Sequence, residues 1–275
     1  MPPRRPSTLR LAVADAATTA AFILFSSLWG EAALRLAPAT GMSAFVAGLA
    51  VLGVGLAAFS PAARAIGRLA GVGGAPCFNP AHALALAAAG KGLGGPVKAA
   101  LARGAAQTAG AVGGAVAATA LLPLHLAATV PLPAMLSLRS AVVAETLLGA
   151  ALALVVIWSV AEARPGSWGA WGVPLACTLA FTWAGSLGNH VPSFNPAYAA
   201  AWARKALAAS ASHHTALAHA GAFLVAPMVG ALLAGGIWRA VEEPPKKAKK
   251  NEAAVAARAR SAAAAKAKGG TKKAK

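Results

Sequence analysis

Apolar residues gather into long stretches separated by short clusters of Gly, Pro, Asn and charge. Six stretches have roughly the 20-residue length that a helix needs to cross a bilayer core about 30 Å thick. They fall at about 10–35, 42–60, 97–122, 139–161, 170–190 and 215–240. Alanine and glycine dominate them. Lipid gives no hydrophobic drive between helices, so small residues that let backbones approach are what such a bundle packs with. Two shorter apolar stretches, near 79–89 and 195–209, each open with Phe-Asn-Pro-Ala and last only two to three turns. They are too short to cross. Half-helices that begin with a cap residue at membrane depth are expected where broken helices of an inverted repeat line a cavity. The pattern therefore predicts an all-α membrane protein with six transmembrane helices plus two re-entrant half-helices, in repeats at about 10–122 and 139–240.

Composition agrees with lipid burial: of 275 residues, 58% are hydrophobic and 12% charged, with a mean hydropathy of +0.63. A net charge of +18 would suggest nucleic acid in a soluble protein, yet 11 of the 25 Lys and Arg lie beyond Val241. The chain thus divides into a short N-terminus at 1–9, a membrane domain at 10–240 and a basic tail at 241–275, which its composition predicts to be disordered and solvated. Anionic headgroups attract such a tail by about 1 kcal/mol per basic residue, and no nucleic acid is expected. The first apolar segment is longer than a signal-peptide core and lacks a small-residue cleavage site, so it is expected to remain as a helix. Cys77 and Cys177 are too few for a disulfide framework and are expected as free thiols.

An odd number of spans per half gives the halves opposite orientation, and an even total leaves both termini on one side. If that side is cytosolic it holds Arg4, Arg5, Arg10, Arg64, Arg68, Lys91, Lys98, Arg103, Arg164, Arg239 and the tail, against Arg35, Arg139, Arg204 and Lys205 opposite. The termini are therefore expected in the cytosol. Trp29, Trp158, Trp168, Trp171 and Trp238 fall near span ends, as an interfacial belt would.

The chemistry sits in Asn79-Pro80-Ala81 and Asn195-Pro196-Ala197. Asn is a preferred N-cap whose side-chain oxygen accepts a first-turn N–H, and Pro suits the next position. Capping uses the oxygen and leaves the amide NH2 free. Two such caps entering from opposite faces put Asn79 and Asn195 side by side where positive helix ends converge. A water molecule accepting from both amides must point its protons outward on both sides, which interrupts a proton wire while water still moves.

One Asn-Pro-Ala is a common helix start; two in equivalent places of a six-span chain are specific. Over about 10–240 the chain resembles the major intrinsic proteins, the family of aquaporins and glycerol facilitators. Ala106-Gln107 with Gly110-Ala111, and Pro227 with Gly230-Ala231, resemble that family's helix-crossing motifs. Asp15 with Thr19 and Glu145 with Gly149 are similar to buried family glutamates that hold the loop backbones. For Asp15 an interfacial charge is the other reading, and for Gln107 an ordinary interhelical hydrogen bond. The resemblance implies a passive channel rather than an enzyme, no cofactor or metal, water or small neutral solutes as its cargo, and a homotetramer in the bilayer.

Water and glycerol channels of the family carry Arg three residues after the second motif's Asn, whereas Tyr198 stands here, and Ala199 stands where glycerol facilitators carry Asp. By family spacing Pro192, Tyr198 and Trp183 are filter positions, leaving a mouth that is either wider and less polar or plugged by the tyrosine ring. His82 matches Tyr198 after the first motif and would line the pore, where it either gates near neutral pH or packs as a polar lining. His213, His214 and His219 have no thiol or carboxylate cluster beside them, which argues against a metal site. The basic charge, the filter Pro, the missing Arg and the Lys-rich tail resemble the small basic intrinsic proteins of plants and green algae, although Ala81 is intact where that branch often differs. Lys272 and Lys273 match the dilysine address that coat proteins read on cytosolic tails, pointing to the endoplasmic reticulum. A rival reading keeps the fold for a structural or contact role there, with the pore blocked by Tyr198.

Overall fold

In the computed structural model, residues 6–72, 76–91, 96–122, 137–164, 167–187, 192–208 and 213–242 are described, with side chains at 205–208 and 213–220 left aside. Lys272, Lys273 and the tail beyond Glu242 lie outside these residues, as do the side chains of His213, His214 and His219. The helices are α1 (Thr8–Ser26), α2 (Trp29–Thr40), α3 (Ala44–Leu69), α4 (Pro80–Ala88), α5 (Val97–Leu121), α6 (Leu138–Ala161), α7 (Trp168–Leu187), α8 (Pro196–Ala208) and α9 (His213–Glu242). Both halves show one order: a first span (α1 with α2, or α6), a second (α3 or α7), a short helix (α4 or α8), and a last long helix (α5 or α9). The chain divides into two units, Met1–Gly236 and Ile237–Lys275. Within the second, the described residues are the last turns of α9, where the Trp238 indole N–H donates to Glu242 at 2.8 Å.

Among the described residues, five stretches are long and apolar enough to cross a membrane: Thr8–Thr40, Ala44–Leu69, Leu138–Ala161, Trp168–Leu187 and Gly221–Glu242. With 25 residues α5 is also long enough, but it carries Lys98, Arg103 and Gln107, and the last two are buried inside the bundle.

The chain departs from the sequence expectation in three helices. The first span breaks after Ser26, because the hydroxyls of Ser26 and Ser27 both donate to the Ile23 carbonyl, at 3.1 and 2.8 Å, and the Leu28 N–H tightens onto Phe25. The second span runs on to Leu69 rather than ending near 60, since Pro61 is absorbed inside α3 at the loss of one backbone hydrogen bond. Arg103, counted with the cytosolic charges, is buried at 7% exposure in the second turn of α5 and drops out of that count.

Small residues set the closest approaches. A Cβ on Gly110 would overlap the Ala16 carbonyl, and one on Gly114 would come within 2.5 Å of the Ala20 carbonyl oxygen, so α5 lies backbone-to-backbone on α1. In the second half, a Cβ on Gly230 would stand 2.5 Å from the Thr146 carbonyl oxygen, and Pro227 lies against Gly149. These two crossings fix the long helices that carry Asp15 and Glu145 against their partners.

Candidate functional site

Each short helix starts as its sequence dictates. Asn79 caps α4, its Oδ1 accepting the Ala81 N–H at 3.0 Å, and Asn195 caps α8, its Oδ1 accepting the Ala197 N–H at 3.0 Å. Pro80 and Pro196 take the first helical positions, where a missing N–H costs nothing.

The two caps are tied to each other. Asn79 Nδ2 donates to the Phe194 carbonyl at 2.8 Å, and Asn195 Nδ2 donates to the Phe78 carbonyl at 3.1 Å. The amides are thus not wholly free, as capping alone would leave them. One N–H of each holds the opposite loop, and the second has no partner among the described residues. Both asparagines line a cavity of about 580 Å³. The positive ends of two helices and two unspent N–H donors meet at one place on its wall.

Behind the caps the halves repeat a second arrangement. Two residues before each Asn, the Cys77 thiol donates to the Asn79 carbonyl at 3.2 Å and the Ser193 hydroxyl to the Asn195 carbonyl at 3.1 Å. The backbone N–H of each of these residues is held by a carboxylate from the first helix of its own half: Cys77 by Asp15 at 2.9 Å, and Ser193 by Glu145, which also accepts from Phe194 at 3.1 Å. Asp15 and Glu145 are both fully buried, so Asp15 is not an interfacial charge. Phe194 has φ 53°, the left-handed region that a bulky residue avoids. Its N–H bound to Glu145 and its carbonyl bound to Asn79 hold it there.

The first of these acids has further partners. Arg103 grips Asp15 with Nε at 2.6 Å and Nη2 at 3.0 Å, and Gln107 Nε2 donates to it at 3.0 Å. Nothing in composition singled out Arg103. The available signal was its place one helical turn before Gln107, on the same face of α5, with an intramembrane carboxylate in need of a partner.

Pro192, Tyr198 and His82 line the cavity. Tyr198 packs beside Phe22, ring centroids 6.4 Å apart, in an apolar cluster that also takes in Phe59, Phe78 and Trp29. Trp183 does not belong there. It is 54% exposed, and α7 turns Trp171, Pro174, Thr178 and Thr182 to the cavity instead, a face that 3.6-residue periodicity carries past position 183. Trp29 likewise leaves the expected interfacial belt: its ring meets Phe22 edge-on at 5.5 Å, and its edge lies over Gly55, which has no side chain to obstruct it. Trp158, Trp168 and Trp171 are substantially exposed, with Trp168 and Trp171 edge to face at 4.7 Å.

No protein-family profile matches the chain. Full-length similarity does appear to two curated proteins named aquaporin SIP1-1. The one from Oryza sativa subsp. japonica is 31% identical over 89% of this chain and 98% of its own length. The one from Zea mays is 29% identical over 90% and 98%. Among solved structures, the aquaglyceroporin from Plasmodium falciparum shares the fold with a TM-score of 0.57 at 19% identity, covering 84% of this chain and 96% of that one.

Proposed function

Because the chain belongs to the aquaporin family, we propose that it is a passive channel that moves water and other small neutral solutes past the paired Asn79 and Asn195 amides. The observation that carries this reading is the crosswise pair of hydrogen bonds between the motif loops. It fixes one N–H of each amide on the opposite loop and leaves the other without a partner among the described residues, on side chains that line the cavity. A solute with an accepting oxygen takes hydrogen bonds from both amides, while the converging positive helix ends orient it and oppose protons. The cavity wall away from the amides is mainly aliphatic and aromatic, with Tyr198 at the position where the family's water and glycerol channels carry arginine. Such a wall suits small neutral molecules and offers poor compensation for the hydration shell of an ion.

The same reading places both termini in the cytosol, one conduit in each protomer of a homotetramer, and the protein in the endoplasmic reticulum through Lys272 and Lys273. The test is stopped-flow light scattering on proteoliposomes. Osmotic water permeability well above that of empty liposomes, with measurable uptake of glycerol or urea, supports the channel; verified insertion with no flux of any of the three transfers the protein to a structural role.

A further inference from the structure

The position where water and glycerol channels of the family hold a fixed cation is Tyr198 here, yet the cavity does have a cationic side chain on its wall. Arg103 lines it, and among the described residues no other Asp, Glu, Lys or Arg does. Its Nε and Nη2 are spent on the two oxygens of Asp15. Nη1 has no hydrogen-bond partner among the described residues. Asp15 is fully buried and does not line the cavity, whereas Arg103 does, so the ion pair sets its positive partner on the cavity wall and its negative partner behind it. Asn79, Cys77 and His82 line the same cavity, and the second amide N–H of Asn79 has no partner among the described residues.

We infer that Arg103 is a specificity-determining residue of the conduit: held by Asp15, its guanidinium is the fixed positive charge that turns cations away while neutral solutes pass. This rests on the conducting reading. A cation in the cavity stands nearer the guanidinium than the carboxylate, and in surroundings poor in water the difference between the two distances leaves a net repulsion. The positive ends of α4 and α8 add to it with the same sign. A planar guanidinium suits the task because two of its nitrogens are fixed on one carboxylate while the third stays directed elsewhere.

The test compares methylammonium with water permeability in proteoliposomes, for the natural protein, Arg103→Lys, Asp15→Asn/Arg103→Gln and Asp15→Asn. The natural protein should pass water and hold methylammonium back. The doubly neutral variant should raise the ratio of methylammonium to water permeability tenfold or more, and Arg103→Lys should keep the natural ratio. Asp15→Asn, which leaves the guanidinium without its counter-charge, should raise nitrate permeability and keep methylammonium low. No flux of water, glycerol or urea in verifiably inserted natural protein would remove the channel reading itself. Water flux accompanied by free methylammonium entry, or an unchanged ratio in the doubly neutral variant, would overturn the role of Arg103 alone. Should the double variant not insert, unchanged nitrate permeability in Asp15→Asn overturns it equally.

Discussion

Replacing Asp15 by Ala removes the acceptor of four hydrogen bonds: one from the Cys77 backbone, two from Arg103 and one from Gln107. The largest consequence is a guanidinium left almost fully buried without a counter-charge. Breaking a buried ion pair by removing one partner costs about 3–5 kcal/mol. For a chain of this size, roughly 2–4 °C of melting temperature accompany each kcal/mol, so a loss of roughly 6–20 °C is expected. Adding Arg103→Leu removes the stranded charge, and replacing both partners of a buried pair by apolar groups is often neutral. What then remains is the orphaned Cys77 N–H with the Gln107 amide, worth about 1–3 kcal/mol for an unsatisfied buried group. The double variant should therefore recover part of the lost melting temperature. Intrinsic tryptophan fluorescence during heating in detergent, alongside gel filtration, measures both. An Asp15→Ala protein melting within about 2 °C of the natural one, or a double variant as unstable as the single, would refute the reasoning.

Four other outcomes follow from the same geometry. Gly230→Val drives a branched side chain into the Thr146 carbonyl, which a glycine Cβ would already approach to 2.5 Å; overpacking of about 1–3 kcal/mol should show as early melting and aggregation on gel filtration. Gly55→Ala puts a methyl under the Trp29 ring, whose Nε1 would lie 2.7 Å from it, so the indole must move, and a shifted fluorescence maximum with reduced water flux is expected. Tyr198→Ala removes the ring beside Phe22 and should raise glycerol permeability relative to water in stopped-flow uptake, whereas an unchanged ratio would show that the ring does not narrow the conduit. Fluorescently tagged Lys272→Ala/Lys273→Ala protein should leave the endoplasmic reticulum for later membranes, and retention of the variant there would discard the retrieval address.

Much of the architecture was readable because membrane helices are constrained by one-dimensional quantities, length and apolarity. The starts of α4 and α8 fall at Pro80 and Pro196, where Asn-Pro leaves little freedom. Features that depend on neighbours were harder to read. Pro61 looks like an end in sequence, but inside α3 the lost hydrogen bond is tolerated. Ser26-Ser27 looks like ordinary span, but two hydroxyls competing for one carbonyl break the helix. Arg103 counts as a cytosolic-side charge until a carboxylate is found 88 positions earlier to receive it. The crosswise bonds from Asn79 and Asn195 were equally hidden, since capping explains only the oxygen of each amide and the carbonyls of Phe194 and Phe78 reach the opposite Asn only after folding. Trp183 shows the limit of spacing arguments on a helix, where one position along turns a side chain by about 100°.

The most direct test of the account is osmotic water permeability of proteoliposomes holding the natural protein against Asn79→Asp/Asn195→Asp. Each aspartate keeps the capping oxygen and removes both the crosswise donor and the N–H offered to the cavity, placing two carboxylates where positive helix ends meet. Water flux well above empty liposomes in the natural protein, and lost in correctly inserted variant, is the result the account predicts. Equal flux in both, or none in either, would contradict it.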